Sequence, residues 1–408
     1  MTEENKVIAC PGCGGSMVKN GFKQSRLAKR QVYLCKRCGT TTIDPLKLDA
    51  DIVKENVYYR RTQQKFQDTN RIERKAFREH ARIENALEEY SKQLIELLKK
   101  KRLSRLTKYH ESPQKAAGIF HLTDTHFNEL VEITVNKYDF KIASQRLQAF
   151  ADNAKRFFKS YDVKNILFAL TGDLLNSDRR LDELLNQATN RSKATFLAVD
   201  LLKSLILDLN KDFNVSVVSV SGNESRMADV IGNTDIMLTD NYDFMIFNAL
   251  KYLFIESKGV SFIDGDPKEQ VVPVAGKNVL IMHGNEKAFL SNIEKNINQL
   301  IGKYSDRDIK IDFVIFGHVH CARIADVFAR GASLVGANAY SDRELQLISR
   351  ASQNIHIITN AGAIHSVKID LQDASQYEGY NFDKALEAYH PKSAEKMKEH
   401  KTVFEVVI

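Results

Sequence analysis

Asp124 and His126 stand two residues apart, and so do His318 and His320; between the pairs lie Gly172-Asp173, Gly222-Asn223-Glu224 and His283-Gly284. In an extended segment, a spacing of two turns both side chains to the same side. Carboxylate and imidazole together suit Mn²⁺, Fe or Zn²⁺, whereas Ca²⁺ prefers oxygen alone. One carboxylate shared by two such ions, roughly 3.5–4 Å apart, lets them activate a water and clamp a phosphoryl group. The glycines allow sharp turns and a close approach to phosphate. Taken singly, each motif is an ordinary turn or a hydrogen-bonded histidine. Five in one chain, each after an apolar run, point to a site.

Those runs are the elements that must position the site. Gly118–Leu122 leads to Asp124, Ile166–Leu170 to Asp173, and Val215–Val220 to Asn223. Val279–Met282 leads to His283, Phe313–Phe316 to His318, and Ile355–Ile358 forms a sixth run. They read as buried strands, with amphipathic helices at Ser144–Lys159, Lys193–Asn210 and Ala288–Tyr304 between them. The alternation predicts an α/β layered domain. In such sheets ligands bind beyond the carboxyl ends of the strands, where five motifs can converge.

The order Asp-x-His, Gly-Asp, Gly-Asn, His, Gly-His-x-His, spread over about residues 116–370, resembles the calcineurin-like metallophosphoesterases. Asp124-Thr125-His126-Phe127 and Asn136-Lys137-Tyr138 look most like phage and bacterial members related to DNA-repair nuclease subunits. The resemblance implies an α+β sandwich of two sheets flanked by helices. It also implies that Asp124, His126 and His320 hold one ion and Asn223, His283 and His318 the other, with Asp173 bridging. Two divalent ions, Mn²⁺ foremost with Fe or Zn²⁺ as alternatives, would share a hydroxide that attacks phosphorus in line. Catalytic roles then fall to Asp173, Asn223, Glu224 and His283.

One position departs from the family. A histidine that helps protonate the leaving oxygen usually follows the asparagine, and here that residue is Glu224. Near two dications a carboxyl group is expected to be ionised and a poor acid. Glu224→His is therefore expected to increase hydrolysis of diesters with poor leaving groups. Arg226, two residues on, is a candidate to pair with Glu224 or to bind phosphate.

Four of the five cysteines form a second constellation: Cys10 and Cys13, then 21 residues, then Cys35 and Cys38. Two Cys-x-x-Cys knuckles at this spacing fit one tetrahedral structural Zn²⁺, which a segment too short for a core needs in order to fold. Residues 10–42 resemble the zinc ribbons at the N-termini of some transposases, including Lys19-Asn20-Gly21 and Tyr33-Leu34. Such ribbons commonly bind DNA and in other cases bind proteins. Lys19, Lys23, Arg26, Lys29, Arg30, Lys36 and Arg37 favour DNA.

Charge is distributed unevenly along the 408 residues. Residues 1–110 hold 25 Lys/Arg against 13 Asp/Glu, and residues 111–408 hold 34 against 39. The balances, +12 and −5, add to the formal +7 and make the N-terminal part a candidate surface for a polyanion. Four segments are expected: a ribbon at 1–45, a basic helical linker at 46–115, the phosphoesterase domain at 116–370 and an extension at 371–408. The linker carries a heptad-like stripe through Ala76, His80, Ile83, Leu87, Tyr90, Leu94 and Leu97. The helix over 66–100 is thus a candidate surface for a homodimer or a partner protein. A short helix is expected near Phe382–Tyr389. Cys321 reads as a buried free thiol, His121 as a core histidine, and Tyr58-Tyr59-Arg60-Arg61 as a packing turn. No apolar run reaches the roughly 20 residues that cross a bilayer, and the expected location is cytoplasmic. The leading reading is a DNA-directed phosphodiesterase. Its rivals are a phosphoesterase for a small nucleotide or ester, and a nucleic-acid-binding or adaptor protein with a degenerate site.

Overall fold

Seven consecutive buried residues, Ala116–Leu122, make a strand that no side chain exposes to water, as expected where a sheet is covered on both faces. The computed structural model describes residues 8–24, 29–43, 57–71, 74, 107–110, 115–227, 235–285, 292–338 and 349–382. The chain divides into two units, Met1–Ala86 and Leu87–Ile408.

The first unit holds an antiparallel sheet of β1 (Met17–Gln24), β2 (Lys29–Cys35) and β3 (Thr41–Ile43). Its tiny core is Cys10, Met17 and Cys35 with Ile8 and Tyr33 packed against them. So little apolar surface cannot hold a fold without a staple. Residues 57–71 form helix α1. Tyr58 and Tyr59 lie in that helix and are exposed, so they form neither a turn nor a packing contact. The stripe from Ala76 to Leu97 lies outside the described residues, as does all of the Phe382–Tyr389 segment beyond Phe382 itself.

The second unit begins with β4 (Ala116–Leu122), the small hairpin β5 (Val131–Ile133) and β6 (Asn136–Tyr138), and helix α2 (Phe140–Ser160). There follow β7 (Asn165–Leu170), α3 (Leu181–Leu185), α4 (Arg191–Asn210), β8 (Asn214–Ser219), α5 (Asp235–Thr239) and α6 (Tyr242–Leu253). Then come β9 (Val260–Phe262), β10 (Glu269–Val274), β11 (Lys277–Met282), α7 (Ile293–Ser305) and β12 (Phe313–Phe316). The unit ends with β13 (Arg323–Ile324), β14 (Phe328–Arg330), β15 (Ser352–Thr359) and β16 (Ile364–Asp370).

Two sheets result. One runs β16-β15-β4-β7-β8-β9, with β4, β7, β8 and β9 parallel and β15 antiparallel to β4. The other runs β10-β11-β12-β14-β13, with β11, β12 and β14 parallel. A layer that includes Ile119, Leu167 and Val218 from the first sheet and Val279, Ile281, Phe313 and Ile315 from the second joins them face to face. The outer face of the first sheet is covered by α2, α4 and α6 through Phe150, Leu197, Leu201 and Leu250. The outer face of the second is covered by α7 through Ile293 and Ile297. The architecture is a mixed α/β sandwich with helices on both outer faces. All six apolar runs are strands, and the three helices contain the expected segments, except that α7 begins at Ile293 and residues 286–291 lie outside the described residues.

Helix starts follow local chemistry. Asp139 caps α2 by accepting the N–H of Ile142 at 2.8 Å, and Asn190 caps α4 by accepting that of Lys193 at 2.9 Å. Deep in the first core, fully buried Arg146 donates to the carbonyls of Leu334 and Val335, both at 2.8 Å, and to Asn136 Oδ1 at 2.9 Å. That network ties the loop after β14 to the start of α2.

Candidate metal centre

The parallel strands β4, β7 and β8 of one sheet and β11 and β12 of the other all end at the same edge of the sandwich. Their following residues therefore meet. Asp124, His126 and His320 form one group of potential ligands, and Asp173, His283 and His318 form another; the ligand atoms within each group all lie within 4.8 Å of one another. His126 Nε2 is 3.0 Å from His320 Nε2, and Asp124 Oδ1 is 3.4 Å from His320 Nε2. In the second group, His283 Nε2 is 3.0 Å from both Asp173 Oδ2 and Asn223 Oδ1. The seven residues named from sequence as candidate ligands are brought together at this edge.

Several features favour a cation. Five of the seven candidates have positive φ: Asp124 at 46°, His126 at 40°, Asp173 at 54°, His318 at 74° and His320 at 60°. Such conformations cost non-glycine residues of order 1–3 kcal/mol each and persist where surrounding structure imposes them, commonly at functional sites. His126 Nδ1 is buried with no hydrogen-bond partner, and the buried Asp173 Oδ2 has the His283 ring beside it at 3.0 Å. A carboxylate in a dry site needs a positive partner, which a metal ion or a protonated ring can supply. His126 and His318 are pushed down to about 4 by burial, so both rings offer neutral nitrogen donors. Burial alone would raise the two carboxyls, but His320 and His283 hold Asp124 low, and His283, His126 and His318 hold Asp173 low. For His283, burial acts downward and the Asp173 carboxylate reverses it, lifting the ring to about 10. A dication beside Asp173 would replace that proton. The donor set fits a pair of divalent ions.

Surrounding groups aim the ligands. His283 Nδ1 donates to the carbonyl of Thr171 at 2.7 Å, which leaves Nε2 facing the site. Asp124 Oδ2 accepts the Thr123 hydroxyl at 2.6 Å and the backbone N–H of His318 at 2.9 Å, joining the first and last motifs. Gly222 must be glycine, because a Cβ there would collide with the Asp173 carboxylate and backbone. Gly317 is held to glycine by the side chains of Thr123 and Asp124 in the same way.

Sequence reasoning missed the supports. Asp243, fully buried in the first turn of α6, accepts N–H groups from Asp173 and Gly222 through Oδ2 and from Leu174 through Oδ1. Arg179 and Arg191 gather the backbone carbonyls of the Asn223–Arg226 loop. Only tertiary contact marks these residues; no local motif does. Glu224 has a partner that sequence reasoning did not name. Glu224 Oε2 pairs with Arg179 at 3.0 Å, whereas Arg226 donates to the Asn223 carbonyl at 2.5 Å. Cys321 is half-buried rather than buried, since β13 and the turn before it lie at the rim. His121 is a core histidine, fully buried and 3.1 Å from Thr171 Oγ1.

The four N-terminal cysteines also converge. Cys10 Sγ lies 3.5 Å from Cys38 Sγ, and Cys13 Sγ lies 3.5 Å from Cys35 Sγ. The two knuckles repeat one geometry: Gly14 N donates to Cys10 O and Gly39 N to Cys35 O, both at 2.9 Å, with the glycines at φ 69° and 74°. The Thr40 hydroxyl and backbone pull the Cys38 thiol down to about 6. The Cys₄ cluster fits a zinc ribbon. Among the six described basic candidates, Lys19, Lys23, Lys29, Lys36 and Arg37 are exposed and Arg30 is half-exposed; Arg26 lies outside the described residues.

No family model matches the sequence, and no curated protein does. Among solved structures, a predicted phosphoesterase from Streptococcus pneumoniae is similar over 64% of this chain and 99% of its own, at 13% identity and a TM-score of 0.24. Vps29 with Zn²⁺ from Entamoeba histolytica is similar over 38% of this chain and 82% of its own, at 15% identity and a TM-score of 0.20. A 5'-nucleotidase from Candida albicans is similar over 72% and 59%, at 10% identity and a TM-score of 0.30.

Proposed function

We propose that this chain is a dinuclear-metal phosphodiesterase acting on DNA. The observation that carries the reading is the meeting of the two ligand groups at the common strand edge, with the buried Asp173 Oδ2 facing His283 Nε2 at 3.0 Å in the second of them. Asp124, His126 and His320 would hold one ion and Asn223, His283 and His318 the other, with Asp173 between them. Such a pair supplies Lewis acidity toward phosphoryl oxygens and a water nucleophile at neutral pH. The protein's part is positional. His283 is held by Thr171, Asp124 by Thr123 and His318, and Asp173 by Asp243 and by the N–H of Glu224 at 2.7 Å. A site so supported loses little entropy when a phosphodiester enters.

A polyanionic substrate is supported by the ribbon. Lys23 and Arg30 are direct cross-strand partners, a like-charge pair that destabilises a sheet unless an anion screens it. On the other face Lys29 lies 4.9 Å above the exposed Phe22 ring. Cations beside a free aromatic are what a nucleic-acid strand binds through phosphate and base.

The test is a panel with Mn²⁺: single- and double-stranded DNA, a cyclic nucleotide and a nitrophenyl ester, each with wild type and Asp173→Asn. DNA cleavage that Asp173→Asn reduces more than about a hundredfold, beyond the 10–100-fold typical of changes around a metal site, is expected. Turnover of the small esters alone would replace DNA with a small substrate. Turnover of nothing, or wild-type turnover by Asp173→Asn, would overturn the phosphodiesterase reading.

A further inference from the structure

Glu224 occupies the place where a leaving-group acid would be sought, yet both of its oxygens are already acceptors. Oε2 accepts from Arg179 Nη2 at 3.0 Å, and Oε1 accepts from Asn223 Nδ2 at 2.5 Å. A protonated carboxyl keeps some acceptor capacity but loses the charge that pairs it with Arg179. The geometry therefore argues against a proton donor.

It argues for something else. An asparagine amide presents an oxygen and a nitrogen of nearly equal size, and only the oxygen can bind a cation. With Nδ2 held by Glu224, Oδ1 is the atom turned toward His283 Nε2, at 3.0 Å. The backbone of Glu224 acts on the neighbouring carboxylate in the same sense. Its N–H donates to Asp173 Oδ1 at 2.7 Å, and Oδ2 is left to face His283. One residue thus touches both oxygen donors of the second ligand group. Arg179 anchors that residue and also donates to the carbonyls of Asn223, Glu224 and Arg226.

We propose that Glu224 is a positioning residue for the second metal ion: its carboxylate, anchored by Arg179, locks the Asn223 amide with the oxygen toward the ligand cluster. The inference rests on the two-metal reading of the site. It specifies which ion depends on Glu224, which that reading leaves open.

The experiment is Mn²⁺ titration of the full-length chain by calorimetry, with electron paramagnetic resonance on the same samples. Wild type should take up two ions and show a coupled pair. Glu224→Ala should weaken one ion by about 10–100-fold, the range for residues that orient metal ligands. The spectrum should become that of a single uncoupled Mn²⁺, while the other ion and the cysteine-bound zinc stay unchanged. Glu224→Gln keeps one acceptor oxygen and should lose less; it carries the comparison if the alanine variant does not fold. Glu224→His should lose the ion as the alanine variant does, reversing the gain in activity that the motif comparison predicts. Two ions bound as tightly by Glu224→Ala as by wild type would overturn the proposal, and so would an equal loss of both. A wild-type chain that binds no pair of ions would overturn the metal-centre reading itself and this inference with it.

Discussion

The Asp243 carboxylate accepts the backbone N–H of Asp173 at 2.9 Å, so one buried acid that faces no ligand cluster sets the position of another that does. The same oxygen takes the N–H of Gly222 at 2.8 Å, and its twin takes that of Leu174 at 2.9 Å. Burial, and after it Asp173, pushes the Asp243 carboxyl up to about 6. Asp243→Ala would leave three buried N–H groups without acceptors. At about 1–3 kcal/mol for each orphaned group, the variant is expected to lose at least about 3 kcal/mol of unfolding free energy. Denaturant titration at pH 7.5 measures it. A loss below about 1 kcal/mol would mean that the two loops hold their shape without Asp243.

The ribbon is expected to carry one zinc per chain on Cys10, Cys13, Cys35 and Cys38. Elemental analysis of a variant with all four changed to serine should show about one zinc fewer than wild type, a metal-to-ligand stoichiometry set by four-coordinate binding. The ions of the second unit should be unaffected. Unchanged zinc content would remove the ribbon assignment.

Removal of residues 1–110 should weaken duplex DNA binding and flatten its salt dependence. Each lost phosphate contact lowers the slope of log affinity against log salt by about 0.9. Hydrolysis of a nitrophenyl ester should survive. Filter binding at several salt concentrations reads the slope, and equal affinity after truncation would show that DNA is bound elsewhere.

His121 and His356 are fully buried as a pair, 3.4 Å apart, and burial drives both downward, His121 to about 3. A histidine lowered by folding takes up its proton only in the unfolded chain. Its stabilising effect is complete above the ordinary value near 6.5 and fades as pH falls from there toward 3. Each such histidine contributes a slope of about 1.4 kcal/mol per pH unit. The stability of His356→Gln should therefore fall less steeply than that of wild type between pH 6 and pH 4, by roughly one proton's worth. Parallel curves would mean that His356 is already charged in the folded chain.

Much of the site was legible because its signals are local. A strand covered on both faces must be an unbroken apolar run, and a candidate ligand stands among the first few residues beyond its end. Asp124, Asp173, Asn223, His283 and His318 could be read off in that way, as could the two cysteine knuckles with their glycines. The pairing of Glu224 with Arg179 could not, since 45 residues separate them and Arg226 is nearer in the chain. Asp243 was invisible for the same reason: one aspartate in the first turn of an amphipathic helix carries no mark of the loops it will hold. Nor does sequence show that five non-glycine ligands adopt positive φ, because nothing local favours it. That conformation is imposed when two sheets stack and bring five loops to one edge. Sequence by itself determined which residues are candidate ligands and which strands deliver them, because both depend on near neighbours. Only the tertiary structure decided which atom of each ligand faces the site, because that is settled by hydrogen bonds between segments far apart in the chain.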